Sequence, residues 1–382
     1  MTVDLDACGL LRALARNTGE DGSSTLGLLA AQIRNWNAVL NLAQEHRVLP
    51  LLVYRLAEAE ASIPSDVLQL LRAESDRNAF HCLANASELI AICEAFDKAS
   101  IPLLPFKGVA LAASVYASLT SRSAGDLDFL VFYRDLRSAT LALQARGYEL
   151  KTPARQDGSP AVENYYEFHF ERPADGMVVE LRWRLELTQP RFRRDLGMAW
   201  LWPRRGTIRV AGKDVPDLNP EDKLLVLCMH GCKHQWSRLI WICDVAQLIE
   251  KEPQLDWEDV AREAKRRGLW RALALGVLLA RQVCGSRVPE PTLRSFESDP
   301  AAYQLSKHFS TSLLDAPGQI PPGRLPYNFR LLDSGDRLRL VLSGDLLRPN
   351  DRDLAAVRLP PGLRPLYYLV RPLRMLFDKS AR

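Results

Sequence analysis

The sequence predicts an α+β protein, an α/β sheet unit flanked by N-terminal and C-terminal helical regions. Three observations predict it. Apolar residues recur at helix-like spacing through the first hundred positions and again from Asn219 onward. Between those stretches, short apolar runs alternate with helix-length segments, in the order strand, helix, strand, helix, then two strands about a turn. Within that central part, Arg122-Ser-Ala-Gly125-Asp126-Leu-Asp128-Phe-Leu-Val131 alternates two aspartates with apolar residues, the pattern of a strand with one acidic and one buried face.

In chain order, Leu10-Leu11, Leu26, Leu28-Leu29, Trp36, Leu40 and Leu42 mark N-terminal helices. Ser65-Asp66 opens a helix through Leu68, Leu70 and Leu71, and a longer helix follows over about 76–98. Ile101–Phe106 reads as a short strand whose two prolines place it at an edge or a strand end. Gly108 to Leu119 is apolar nearly all round, as a buried helix is. The acidic strand spans 126–132, and Tyr133–Arg146 forms a helix closed by Gly147. Tyr165–Glu171 and Met177–Arg184 are strands about a turn at Pro173–Gly176. Asn219-Pro220-Glu-Asp starts a helix through His230, and further helices fit about 236–251, 256–267, 269–284 and 298–313. Pro and Gly around 316–326 and 360–372 predict an irregular tail with short helices. The expected organisation is a helical region over 1–99, a catalytic sheet domain over 100–216, a helical domain over 217–315 and a basic tail over 316–382.

Composition is that of a globular chain, 47% hydrophobic and 25% charged. No uninterrupted apolar run of membrane-spanning length occurs, and the start Met1-Thr-Val-Asp-Leu-Asp lacks the basic and apolar stretches of a signal peptide. With seven scattered cysteines and no CxxC, a disulfide framework is not expected and the chain is placed in the cytoplasm. Cys228-Met-His230-Gly-Cys232-Lys-His234 is the nearest approach to a metal pattern. On a helix its cysteines and histidines face apart, so a buried helix is the better reading than a zinc site. Net charge is only +4, yet residues 321–382 hold eleven Arg and one Lys against six Asp. Such a tail meets phosphate, RNA, an anionic membrane or an acidic patch of its own protein. RNA is an open but not a favoured partner. The aromatic and arginine mixture over 363–377 reads first as a segment packed on the body with its arginines in water.

The chemistry lies in the acidic strand and its neighbours. Asp126 and Asp128 share a face roughly 6–7 Å apart along the chain. Carboxylates that close repel unless a cation joins them, and a hard divalent ion such as Mg²⁺ or Mn²⁺ suits oxygen donors. Lys107-Gly108 stands at a strand-to-helix junction, where free backbone N–H groups and a glycine make a phosphate cradle. Lys107 adds a point charge there. Arg122 is a partner for the acids or for a phosphate. Glu180, alternating with Val179, Leu181 and Trp183, offers a third carboxylate, and Arg182 on the same face is placed to neutralise it.

Taken together, Lys107-Gly108, Arg122-x-x-Gly125-Asp126-x-Asp128-x-Leu130-Val131, Val179-Glu180-Leu181-Arg182-Trp183 and His230-Gly-x-x-His234-x-Trp236-x-Arg238-Leu-x-Trp241-x-x-Asp244 resemble the uncharacterised bacterial nucleotidyltransferase family of the polymerase-beta-like superfamily. Trp36 and Ala43-x-x-His46-Arg47-Val48 fit as well, and the resemblance covers roughly 35–250. It implies Mg²⁺-dependent transfer of a nucleoside monophosphate from an NTP, with ATP the expected one. The acceptor is open among a small molecule, a sugar, a peptide and RNA. It further implies Asp126, Asp128 and Glu180 as catalytic metal ligands. Lys107, Gly108, Arg122 and Gly125 would contact nucleotide, and Arg182, His230, His234 and Asp244 would contact substrate or support the site. The superfamily commonly carries Gly-Ser in place of Lys-Gly and a shorter gap to the acids, and both features here follow the subfamily. Its third acid is often Asp followed by a residue and His, where this chain has Glu180 with Arg182 on the same face. The Glu180–Arg182 pairing keeps a second reading open, a non-catalytic nucleotide- or peptide-binding module of the same fold. The basic tail keeps a third, a toxin-like enzyme that modifies tRNA.

Overall fold

A computed structural model of the chain describes residues 4–16, 19–123, 125–155, 157–160, 166–185, 196–315, 324–332, 357, 359–370 and 373. Four helices open it: α1 (Leu5–Ala15), α2 (Gly19–Gln32), α3 (Trp36–Glu45) and α4 (Leu49–Glu58). Asp4 caps α1 by accepting from the Ala7 amide, and Asn35 caps α3 by accepting from Ala38. A single helix, α5 (Ser65–Lys98), replaces the expected pair. The Arg72–Arg77 stretch between them is polar but has neither Gly nor Pro to stop a helix. By length and composition α5 could cross a membrane. Here Cys82, Ala86, Leu89, Ile92 and Phe96 instead cover one face of a sheet.

The sheet holds β1 (Leu103–Pro105), β2 (Leu127–Val131), β3 (Glu149–Leu150), β4 (Glu167–Arg172) and β5 (Met177–Arg182) in the spatial order β1-β2-β5-β4-β3. Only β2 and β5 pair in parallel, with Asp128 opposite Glu180. Between β1 and β2 lies α6 (Gly108–Val115), shorter than the apolar run foretold because the chain leaves the helix at Tyr116. Helix α7 (Leu136–Ala145) follows β2 and ends, as read, before Gly147. Tyr165 lies outside the described residues. After a short helix α8 (Met198–Leu201), an unforeseen hairpin of β6 (Gly206–Val210) and β7 (Lys213–Asp217) joins the same sheet core through Val210 and Val215.

The C-terminal helices are α9 (Pro220–Lys233), α10 (Leu239–Lys251), α11 (Trp257–Arg267), α12 (Trp270–Leu279), α13 (Glu290–Glu297), α14 (Pro300–Asp315) and α15 (Arg324–Leu331). Asn219 caps α9 at 2.8 Å from the Asp222 amide. A π-helical turn, Ala280–Cys284, ends the helix expected to run to 284. The expected helix at 298–313 is α14, whereas α13 had no counterpart. Most of the basic tail lies outside the described residues. Within the 363–377 stretch, Tyr367 is buried and hydrogen-bonded to Val357 and Leu359 of the tail itself, whereas Leu363, Leu366, Tyr368, Leu369 and Leu373 are exposed, so its described part does not pack on the body as expected.

Two cores result. One joins α5, α7 and a single sheet face through Leu127, Phe129, Val131, Phe168, Phe170, Val179 and Leu181. The other joins the first four helices to α9–α14 and receives Leu130 from the opposite sheet face. Strand alternation therefore aims Asp128, Glu180 and Arg182 toward the helical core.

Candidate active site

Asp128 is buried in the middle of β2, and the parallel register sets it beside Glu180 on β5. Asp126 stands one residue before β2. Ligand oxygens of Asp126, Asp128 and Glu180 all lie within 4.8 Å of one another. The three acids read from the sequence therefore converge. Two cations reach the same cluster. Lys107 Nζ is 3.2 Å and Arg182 Nη2 is 3.3 Å from Asp128 Oδ1. Arg182 also pairs with Glu180, and its Nε lies 3.0 Å from Glu167 on β4. Burial alone would raise the Asp128 pKa, but Lys107 and Arg182 hold it below the ordinary carboxylate value. Glu180 goes the other way: burial first, then the charge of Asp128, raise it despite Arg182. One carboxylate is thus held ionised and its neighbour is biased toward carrying a proton.

Gly108 begins α6 at φ +57°, and a Cβ there would stand 2.9 Å from the Asp126 carbonyl oxygen. Glycine is required twice over, for the left-handed backbone and for the close approach of the helix start to the acid loop. That loop is held from behind by one face of α5. Asn78 donates to the Thr120 carbonyl at 2.8 Å, the Cys82 thiol faces the Arg122 carbonyl at 3.5 Å, and Asn85 donates to the Gly125 carbonyl at 3.4 Å. These three positions recur at helical spacing. Asn78 and Asn85, set on one helix face with Cys82 between them, were a legible signal that the sequence reading passed over.

Arg122 does not face the acids as a free phosphate ligand. Its guanidinium grips Asp244 of α10 with two bonds of 2.8 and 2.9 Å, and the Tyr116 hydroxyl donates to the same carboxylate at 2.7 Å. All three are buried. Arg122 and Asp244, expected to act separately, form one clamp between the acid loop and α10. Asp244 therefore supports the site through Arg122 and does not face a substrate.

His230 and His234 lie at the end of α9, with ring centroids 4.6 Å apart and both rings against Trp241. Burial first, then nearby cations that include Lys107 and Arg182, push both pKa values down, so the pair is neutral at pH 7. Beside them Lys233 donates to the Tyr166 hydroxyl at 2.9 Å. Cys228 and Cys232 point into the helical core and are free thiols, as the opposed faces required. The turn that presents these groups is locked by Trp236, whose indole fills the space where a Cβ on Gly231 would be.

Sequence reasoning missed Lys233 and Glu167, and it assigned no role to His46. The His46 ring accepts from the Leu239 amide at 3.2 Å, and its carbonyl accepts from Ile240 at 3.3 Å. It thereby caps α10 from a distant segment, where Arg238 supplies no side-chain cap. Burial and Arg238 push His46 down to about 4, the form that can accept.

The family model described as uncharacterised nucleotidyltransferase matches residues 33–285. That is well over half of the chain, and the chain belongs to this family. No curated protein matches it in sequence. Family membership and the acidic triad together fit nucleotidyl transfer.

Proposed function

We propose that this member of the uncharacterised nucleotidyltransferase family moves a nucleoside monophosphate from an NTP, with ATP as the working substrate, to an acceptor hydroxyl, amine or phosphate. The observation that carries the reading is the convergence of three carboxylates within 4.8 Å beside the glycine-started helix α6. Three hard oxygen donors fit Mg²⁺ or Mn²⁺, with Asp126, Asp128 and Glu180 as the holding residues. Bound there, the ion would supply neutralisation of the charge that develops at the α-phosphorus.

This chain's residues account for the remaining steps. Lys107 and Arg182 keep Asp128 ionised. Glu180, at the edge of the cluster beside Arg182, takes the proton from the acceptor on the carboxylate oxygen left free of the ion, as the acceptor's oxygen or nitrogen bonds to the α-phosphorus. The bond from that phosphorus to the β-phosphate oxygen breaks, and pyrophosphate leaves with the electron pair. His230 and His234, neutral and packed against Trp241, stand within electrostatic reach of Lys107 and Arg182, where they can orient a substrate without adding charge.

Calorimetric titration with ATP, with and without Mg²⁺, tests the assignment. Wild type should bind ATP in a Mg²⁺-dependent way, and Asp126→Asn should lose that dependence while keeping its fold. A second reading draws on Arg182, which bridges Asp128, Glu180 and Glu167 as a built-in cation: a nucleotide-binding module without catalysis. ATP binding that is unchanged when Mg²⁺ is removed would favour that module and overturn the transferase.

A further inference from the structure

We infer that Arg47 and Arg238 form an anion subsite that takes the β- and γ-phosphates of the nucleotide, the portion that leaves as pyrophosphate. The inference rests on the nucleotidyl-transfer reading and assigns that reaction's leaving group to residues of this chain.

The argument begins with what is already occupied. The two cations that the sequence offers for phosphate are both engaged with carboxylates, Lys107 with Asp128 and Arg122 with Asp244. A polyphosphate tail therefore needs positive charge from elsewhere.

Arg47 and Arg238 are brought together by backbone geometry. His46 accepts from Leu239 and Ile240, so the residue after His46 lies beside the residue before Leu239. Arg47 holds a left-handed backbone, φ +56°, at the turn between α3 and α4. A non-glycine residue keeps that conformation only where its surroundings fix it. The two guanidinium groups sense one another as like charges, and Arg47 senses Asp126 as the opposite charge. Among the described residues neither arginine makes an ion pair. Arg238 instead lies over the Trp241 ring, 5.7 Å from its centroid. Two neighbouring guanidinium groups without a carboxylate between them are an arrangement that a multivalent anion stabilises, and guanidinium forks match phosphate oxygens.

The place of the pair relative to the acids selects the ligand. The acid loop and the Arg47 turn both dock on the first half of α10, the loop at Asp244 and the turn at Leu239–Ile240. Six residues from Arg238 to Asp244 span about 9 Å of helix. The pair therefore sits on the Asp126 side of the cluster, whereas Lys233 senses Glu180, Glu167 and Arg182 on the other side. Glu180 and Lys233 are left to the acceptor, and the Asp126 side to the leaving phosphates. The α10 N-terminus is itself filled by His46, so anion binding here depends on the side chains.

The test compares ATP, AMP and pyrophosphate, each with Mg²⁺, by calorimetry on wild type, Arg47→Ala, Arg238→Ala and Arg47→Lys. Each alanine variant should lose about ten- to hundred-fold in affinity for ATP and for pyrophosphate, the usual weight of a charge-assisted contact, with AMP affinity unchanged. Arg47→Lys should recover part of the loss. Unchanged ATP affinity in both alanine variants, or an equal loss for ATP and AMP, overturns the subsite and leaves nucleotidyl transfer standing. Wild type that binds pyrophosphate through the pair but no nucleotide overturns nucleotidyl transfer and keeps the anion subsite. Binding of neither overturns both. Arg47 is exposed, so its variant folds and decides the matter even where Arg238→Ala is destabilised.

Discussion

The two aspartates of the candidate site face different physical situations, and substitution should separate them. Asp128 is almost fully buried between Lys107 and Arg182, whereas Asp126 is only partly buried at the strand entrance. Removing one partner from a buried ion cluster leaves the other charges without compensation, which typically costs about 3–5 kcal/mol. A half-exposed acid at a loop end costs less than about 1 kcal/mol. Urea denaturation should therefore find Asp128→Asn destabilised by several kcal/mol and Asp126→Asn close to wild type, although both lose metal-dependent nucleotide binding. Equal stabilities would mean that Lys107 and Arg182 do not depend on Asp128 for their place in the fold. For the same reason Asp126→Asn is the cleaner probe of function.

At the scale of elements, the N-terminus of α10 depends on His46, and that dependence is titratable. The buried ring accepts a hydrogen bond only when neutral, and its pKa is pushed down to about 4 from an ordinary 6.5. The folded state therefore binds this proton less readily than the unfolded chain. The stabilisation is fully present above pH 6.5 and is lost as pH falls toward 4. For one group with these two values, linkage gives a loss of about 2 kcal/mol between pH 7 and pH 5. His46→Gln keeps an acceptor but cannot titrate, so its stability should fall by about 2 kcal/mol less than that of wild type over this interval in urea melts. Parallel pH profiles would remove His46 from the cap. This cap also marks where sequence reading stopped. The Lys107-Gly108 junction, the acidic strand and the Asn219-Pro220 start are signalled by residues within a few positions, and they were legible. The His46 cap and the Arg122–Asp244 pair join residues 193 and 122 positions apart, and no local pattern encodes such a meeting. The β6–β7 hairpin fell between these cases. Ile208, Val210 and Val215 give strand-like texture, but the two-residue loop puts Ala211 at φ +46° before Gly212, where Asn or Asp is the usual signal.

Across the whole molecule, the acids ride on a sheet whose far face belongs to one core, while their near face is closed by helices of the other. A buried polar link between these two cores is the Tyr116–Arg122–Asp244 cluster, which ties the acid loop to α10. Deleting its carboxylate leaves a guanidinium buried without its partner, and the expected loss for Asp244→Ala is about 3–5 kcal/mol. Apolar replacement of a whole buried ionic cluster is often neutral or better. The triple variant Tyr116→Phe, Arg122→Met, Asp244→Leu should therefore recover most of that stability. It should not recover nucleotide affinity, because the bidentate fork that fixes Arg122, and with it the path of the chain into Gly125 and Asp126, is gone. Thermal unfolding and Mg²⁺–ATP calorimetry on the same three proteins separate the two contributions. A triple variant that regains both stability and affinity would reduce the clamp to packing. One that regains stability alone makes Asp244 a positioning residue, acting through Arg122 on a metal site it never touches.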